Sequence, residues 1–332
     1  MIVENILRPD SQIAIIYTQP STESEARKKV TGVDEHFLSK SEQGFLSKLG
    51  GSGIDVDKCS ILTIVRNRYY NASARFPEGE LDCWYELLSR DLAKLSPNII
   101  IACGEIPTAF FLNKKLTYNK LGLVNQHSER MQGYVYPTSY GKVITLAGIT
   151  NSDWAVPSWH PMMQWNLGKA KRNAETKESL SKQPTIHVTN DMQLLKKVFL
   201  DEEYQNDPTS YCAFDIECCG MEITCISFAR DIHNAYVVPL HHLHSSELAY
   251  CLRWVGKILD SPVAKVGQNG NFDILYLGFY YNMPVRNYKF DTMLAQHAMY
   301  SNLPKDLNTL GAIFTDEPSW KDSKGWEKEG DA

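Results

Sequence analysis

The sequence predicts an α/β protein made of two domains in tandem. Short β-rich apolar runs alternate with segments whose apolar residues recur at helical spacing, the pattern of a mostly parallel sheet covered by helices. A polar, basic stretch at 168–184, almost free of large apolar side chains, separates two such patterns and reads as a linker. The chain has 332 residues, 43% of them apolar and 22% charged, which suits two globular domains with sizeable cores.

Within domain 1–167, residues 12–17 (Gln-Ile-Ala-Ile-Ile-Tyr) form a buried strand opening into a Thr-Gln-Pro-Ser turn. A helix is expected over 36–49 and a second strand over 60–66. Leu81, Trp84, Leu87, Leu88, Leu92 and Leu95 share one helical face, and Pro97 ends that helix. Residues 98–103 make a third buried strand. Residues 141–147 and a segment ending at His160-Pro161 complete the domain. Domain 185–332 begins with a short strand at 185–188, after which Asn190 is expected to cap a helix through Met192, Leu195 and Phe199. Strands at 211–217, 223–229 and 235–240 then form a meander, followed by a helix near 248–259.

No apolar run approaches the roughly 20 residues that span a bilayer, and the N-terminus lacks a basic segment followed by an apolar one. A soluble, cytoplasmic protein is expected. The net charge of −5 argues against coating nucleic acid by bulk charge. It leaves room for a nuclease, whose metal-binding carboxylates are themselves acidic. The eight cysteines show no C-x-x-C spacing and are expected as reduced thiols, with no structural zinc. His241, His242 and His244 read as loop residues.

Asp215 and Glu217 stand two apart on an expected strand, so period-2 alternation puts both on one face with Ala213, while Phe214 and Ile216 point the other way. Adjacent carboxylates repel unless a cation lies between them, and hard oxygen ligands suit Mg²⁺ or Mn²⁺. An isolated D-x-E is also what a solvated edge strand shows. Further on, Val266-Gly267-Gln268-Asn269-Gly270-Asn271-Phe272-Asp273 reads as an apolar lead, a turn and a helix start near Asn271. Asp273 then falls in the first helical turn, able to point back at the sheet. Asp291, in Phe290-Asp291-Thr292-Met293-Leu294-Ala295, opens another helix, a place where an acid needs no chemistry.

In this order the three motifs resemble the proofreading exonuclease of family A DNA polymerases, one of the DEDD exonucleases, over residues 185–321. The resemblance implies a ribonuclease-H-like fold and 3′→5′ hydrolysis of DNA. It implies that Asp215 and Glu217 bind the catalytic metal, Asp215 bridging to a second one that Asp273 also holds. Asn269 and Phe272 match positions that hold or stack on the 3′ end of a single strand, and Asp291 one that supports the site's helix. One metal would lower the pKa of a water and the other stabilise the leaving 3′ oxygen. Cys218 stands where the family usually has Thr. The family's third motif, a Tyr-x-x-x-Asp whose Asp completes the metal site and whose Tyr positions the water, has no match after Asp291, and no polymerase sequence follows. A second polypeptide supplying both, a truncation, and a binding protein that has abandoned catalysis are all compatible with this, and with one ligand missing weak activity is expected.

Residues 1–167 follow the order of uracil-DNA glycosylases of the bacterial family 4 or 5 type, a Rossmann-like three-layer fold. Pro20, beside Gln19, and His160-Pro161 match the pocket motifs, in which the His would stabilise charge on uracil O2. Tyr17 and Thr18 stand in place of the family's Gly-Glu, and Glu23 is a weak substitute for the water-positioning acid. Asn67 stands about where a cluster cysteine would fall, so no iron–sulfur cluster is expected. A glycosylase-like domain, non-catalytic, ahead of such an exonuclease resembles the layout of some bacteriophage replicative polymerases, which would act in the host cytoplasm.

Overall fold

A computed structural model of the chain describes residues 2–67, 76, 79–118, 120, 132–149, 159–182 and 184–319. It is a mixed α/β structure with two mixed sheets, divided into two compact units.

The first unit is built on β1 (Ile13–Tyr17), β2 (Ser60–Thr63), β3 (Ile99–Cys103), β4 (Val135–Thr138) and β5 (Gly141–Leu146), in the order β2-β1-β3-β5-β4. All neighbours are parallel except the edge pair β4–β5. Every residue of β1, β2 and β3 is buried, which explains why these strands show no polar–apolar alternation. Ile13, Ile15 and Tyr17 pack on one face with Phe45 and Leu49 of α2 (Lys40–Gly51) and Leu167 of α5 (Trp159–Asn173). Ala14 and Ile16 pack on the other with Leu88 and Leu92 of α3 (Glu80–Leu92) and Ile106 of α4 (Glu105–Leu112).

The second unit carries β6 (Thr185–Val188), β7 (Tyr211–Cys219), β8 (Glu222–Ala229), β9 (Asn234–Pro239), β10 (Ala264–Gly267) and β11 (Tyr288–Asp291), in the order β11-β10-β7-β8-β9-β6. The expected meander is present: β7, β8 and β9 are antiparallel, while β10 and β11 add in parallel. Three helices, α6 (Met192–Phe199), α7 (Glu202–Asn206) and α8 (Ser245–Leu259), contribute Leu195, Phe199, Tyr204, Val255 and Leu259 to the core on this sheet.

Several elements depart from the sequence reading. Two helices occupy this region: α1 (Thr22–Thr31), which the sequence reading did not anticipate, and α2, the helix expected over 36–49, which begins only at Lys40. Gly32 at φ +72° stops the first, and a capping box between Ser39 and Glu42 starts the second. His160-Pro161 opens α5 rather than ending a segment, a place where proline's missing N–H costs nothing. The cap of α6 is Asp191, not Asn190; its Oδ1 accepts from Gln193 N and Leu194 N.

The expected linker is also shorter than 168–184, because Gly168 to Asn173 continue α5. Lys169 shows why a basic residue can lie there: it is 1% exposed, and its Nζ donates to the carbonyls of Gly133, Ala312 and Thr315. Burial pushes its pKa down to about 8. Two of those acceptors come from the far end of the chain. The first unit comprises residues 1–181 and 308–332, and the second only 182–307, so the second domain does not run unbroken from 185 to 332. From Asn308 on, α11 (Leu307–Phe314) buries Ala312 against Ala109, Tyr134 and Tyr136.

Phe199 is 1% exposed and meets the rings of Tyr204, Phe228 and Tyr236. Phe199→Ala is expected to destabilise the second unit by about 3–5 kcal/mol. Urea unfolding followed by tryptophan fluorescence would check it, and a loss below about 1 kcal/mol would contradict the packing described.

Candidate functional site

Along β7 burial alternates with period 2. Cys212, Phe214 and Ile216 are buried, whereas Asp215 and Glu217 are exposed on the opposite face. Beside β7 in the sheet runs β8, where Asp215 pairs with Ser227 and Glu217 with Cys225. The register shifts after Glu217, and Gly220 at φ +62° turns the chain into β8.

The third carboxylate arrives from across the sheet. β10 runs parallel to β7, but their pairing ends at Val266 opposite Ala213. Beyond it the chain turns through Gly267 to Gly270 into α9 (Asn271–Tyr281). Asp273 sits in the first turn of α9, and its Oδ1 accepts a hydrogen bond from Ile216 N at 3.1 Å. The amide that donates it belongs to the residue between Asp215 and Glu217. This bond ties the first turn of α9 to the strand that carries Asp215 and Glu217. Asp273 is 5% exposed. Burial, joined by the charges of Asp215 and Glu217, pushes its carboxyl up to about 6 against the lowering effect of the Ile216 amide.

The turn that delivers Asp273 is held from behind. Asp291 Oδ1 accepts from Asn269 N, Met293 N and Leu294 N, and its Oδ2 accepts from Gly270 N and Tyr288 Oη. It thus caps α10 (Thr292–Met299) and pins the Asn269-Gly270 turn in one move. Burial alone would raise its carboxyl. The hydrogen bonds from Gly270, Tyr288, Asn269 and Leu294 outweigh that and hold it below the usual carboxylate range. Asn269 takes a left-handed φ of +55°. Gly267 and Gly270 are required by close approach: a Cβ would lie 2.9 Å and 2.3 Å, respectively, from Tyr288 Oη. Sequence reasoning missed Tyr288, whose only signal was its place three residues before Asp291.

Asn269 and Phe272 are exposed beside Asp273, Phe272 by 54%. Of the pocket expected in the first unit, Gln19 is half-buried and Pro20 buried beyond the end of β1, and Pro161 is exposed. The His160 side chain lies outside the described residues. Tyr17, where the resembled family has glycine, is 2% exposed and its hydroxyl bonds His36 Nδ1 at 2.6 Å.

Three carboxylates are the right donors for Mg²⁺ or Mn²⁺, and the mutual repulsion felt at Asp273 is what a cation would relieve. The set is gathered without being closed. Among the described residues, no group of three or more His, Cys, Asp or Glu side chains is arranged to hold a metal ion. None of the eight cysteines is joined in a disulfide. Among the described residues no helix is long and apolar enough to cross a membrane.

No protein-family model matches the chain, and no curated protein sequence does. Among solved structures it is similar to the catalytic core of RRP6 from Trypanosoma brucei, at 12% identity and a TM-score of 0.31, over 41% of this chain and 38% of that one. It is also similar to the EXD2 exonuclease domain soaked in Mn and GMP, at 18% identity and a TM-score of 0.29, over 40% of this chain and 69% of that one. A further EXD2 structure, soaked in Mn, is 21% identical with a TM-score of 0.27, over 35% of this chain and 58% of that one. The chain thus spans well under half of the RRP6 core.

Because Gly270 has an ordinary φ of −63°, the cost of a side chain there is purely steric. Gly270→Ala should destabilise the protein by about 1–3 kcal/mol, and by much less in a Tyr288→Ala background. A double-mutant cycle by thermal unfolding reads this coupling; additive effects would mean that Tyr288 does not close over the turn.

Proposed function

We propose that the second unit is the metal-binding core of a nuclease, specifically a 3′→5′ DNA exonuclease of the proofreading type found in family A, phage-type DNA polymerases. The observation that carries this reading is the hydrogen bond from Ile216 N to Asp273 Oδ1, which ties the buried acid of α9 to the amide between the two exposed acids of β7. Asp215, Glu217 and Asp273 would hold Mg²⁺ or Mn²⁺. When bound, such ions lower the pKa of a water and stabilise the leaving 3′ oxygen. The chain's own residues supply position. Ile216 N fixes Asp273, Asp291 fixes the turn that starts α9, and Asn269 and Phe272 present an exposed amide and ring to a single-stranded 3′ end.

In this reading the second unit has the ribonuclease-H-like fold of the DEDD exonucleases, and the first is a uracil-DNA-glycosylase-like scaffold that does not excise bases. Full activity calls for a further carboxylate and a water-positioning group, from another segment or from a separate polypeptide that also carries the polymerase. A second reading, a non-catalytic subunit that binds DNA or a partner within a replication complex, is favoured by the carboxylates not being closed around a cation site.

Metal binding separates the two. Mn²⁺ titration by calorimetry should show binding that Asp215→Ala weakens about tenfold or more, since the lost carboxylate is a direct ligand. Slow shortening of a 5′-labelled single strand from its 3′ end should stop on addition of EDTA. Equal Mn²⁺ affinity in wild type and Asp215→Ala would end the nuclease reading.

A further inference from the structure

Helix α9 is apolar on two sides. Leu277, fully buried, and Asp273 face the sheet. Phe272, Leu275, Tyr276, Phe279 and Tyr280 recur at i, i+3, i+4, i+7 and i+8, which draws a second stripe along the outer side. A stripe of this kind is normally buried, yet Phe272 is 54%, Leu275 70%, Phe279 83% and Tyr280 51% exposed. Its rings touch in series. Phe272 and Tyr276 lie 5.6 Å apart between centroids, Tyr276 and Tyr280 4.7 Å, and Phe279 stands edge-on to Tyr280 at 5.0 Å. The Tyr276 hydroxyl donates to the Gly220 carbonyl, which holds the middle ring against the β7–β8 turn.

The size and place of the stripe narrow what can cover it. An aromatic side chain offers about 150–250 Å², so the exposed part amounts to roughly 500 Å². Stable protein interfaces bury about 800 Å² on each partner. The area is small for a second copy of the chain but suits a few stacked bases. The stripe begins next to the carboxylate site in the chain, since Phe272 immediately precedes Asp273 at the start of α9. It carries no Lys or Arg, so whatever binds there is held by ring faces rather than by ion pairs.

We propose that the outer face of α9 is a stacking track for single-stranded DNA, in which Phe272, Tyr276, Phe279 and Tyr280 carry successive bases to or from the carboxylates. The proposal rests on the nuclease reading for the identity of the strand. Stacking on aromatic rings tolerates any base, because every base has a π-face. The affinity of such a track should depend weakly on salt, because few phosphate counterions are released.

The test uses the full chain and a fluorescein-labelled dT₁₅ oligonucleotide, with anisotropy read in EDTA so that no hydrolysis intervenes. Wild type should bind with a shallow salt dependence. Phe279→Ala with Tyr280→Ala should weaken binding about tenfold or more, and Tyr280→Phe should leave it near wild type. The double variant should bind Mn²⁺ as wild type does, so loss of the track is distinguishable from loss of the cation site. Absence of binding by wild type, unchanged binding by the double variant, or a steep salt dependence would overturn the proposal. So would tighter binding of the matching U₁₅ RNA, or a wild-type dimer in sedimentation that the double variant abolishes, which would make the face a protein interface.

Discussion

The hydrogen bond from the Ile216 amide to Asp273 is the constraint on which the second unit's site depends. β10 stops pairing with β7 at Ala213, so the amide of Ile216 lies beyond the reach of the ladder on that side. A buried N–H must find an acceptor, and the first turn of α9 supplies one. The same bond satisfies the strand, docks the helix and brings a third carboxylate to the two that β7 already displays. Backbone accounting and the assembly of the acidic centre are here a single event.

That arrangement carries an electrostatic cost, visible in the raised carboxyl of Asp273. The surroundings resist the repulsion with rigid support. Asp291 gathers five donors from the turn, from α10 and from Tyr288, while the tyrosine ring fills the space that two glycines leave. Support of this kind fixes the backbone around Asp273 and leaves Asp215 and Glu217 exposed on the strand.

Much of this was legible in the sequence because it follows from short-range periodicity. Alternation along residues 211–219 put Asp215 and Glu217 on one face, and the Gly-Gln-Asn turn placed Asp273 in a first helical turn. What stayed hidden depends on partners distant in sequence. Tyr288 closes over Gly267 and Gly270 because β11 pairs with β10, a fact no local pattern encodes. The polar run from Gly168 looked like a linker because lysines and arginines usually mark solvent. Lys169 is instead consumed by carbonyls, two of them more than 140 positions away. Asn190 and Asp191 are both good caps, and only the helix start distinguishes them.

The return of the chain at Asn308 has a consequence for any dissection of this protein. The second unit is an excursion, leaving and re-entering one body, so no single cut releases it intact. A fragment beginning near residue 185 would carry α11 with the buried surfaces of Ala312 and Ile313 bare. The remaining fragment would keep Lys169 with two of its three carbonyl acceptors gone. Each piece would inherit a sticky scar from the other, and insolubility of such fragments would report on the severed return helix rather than on the fold of either unit.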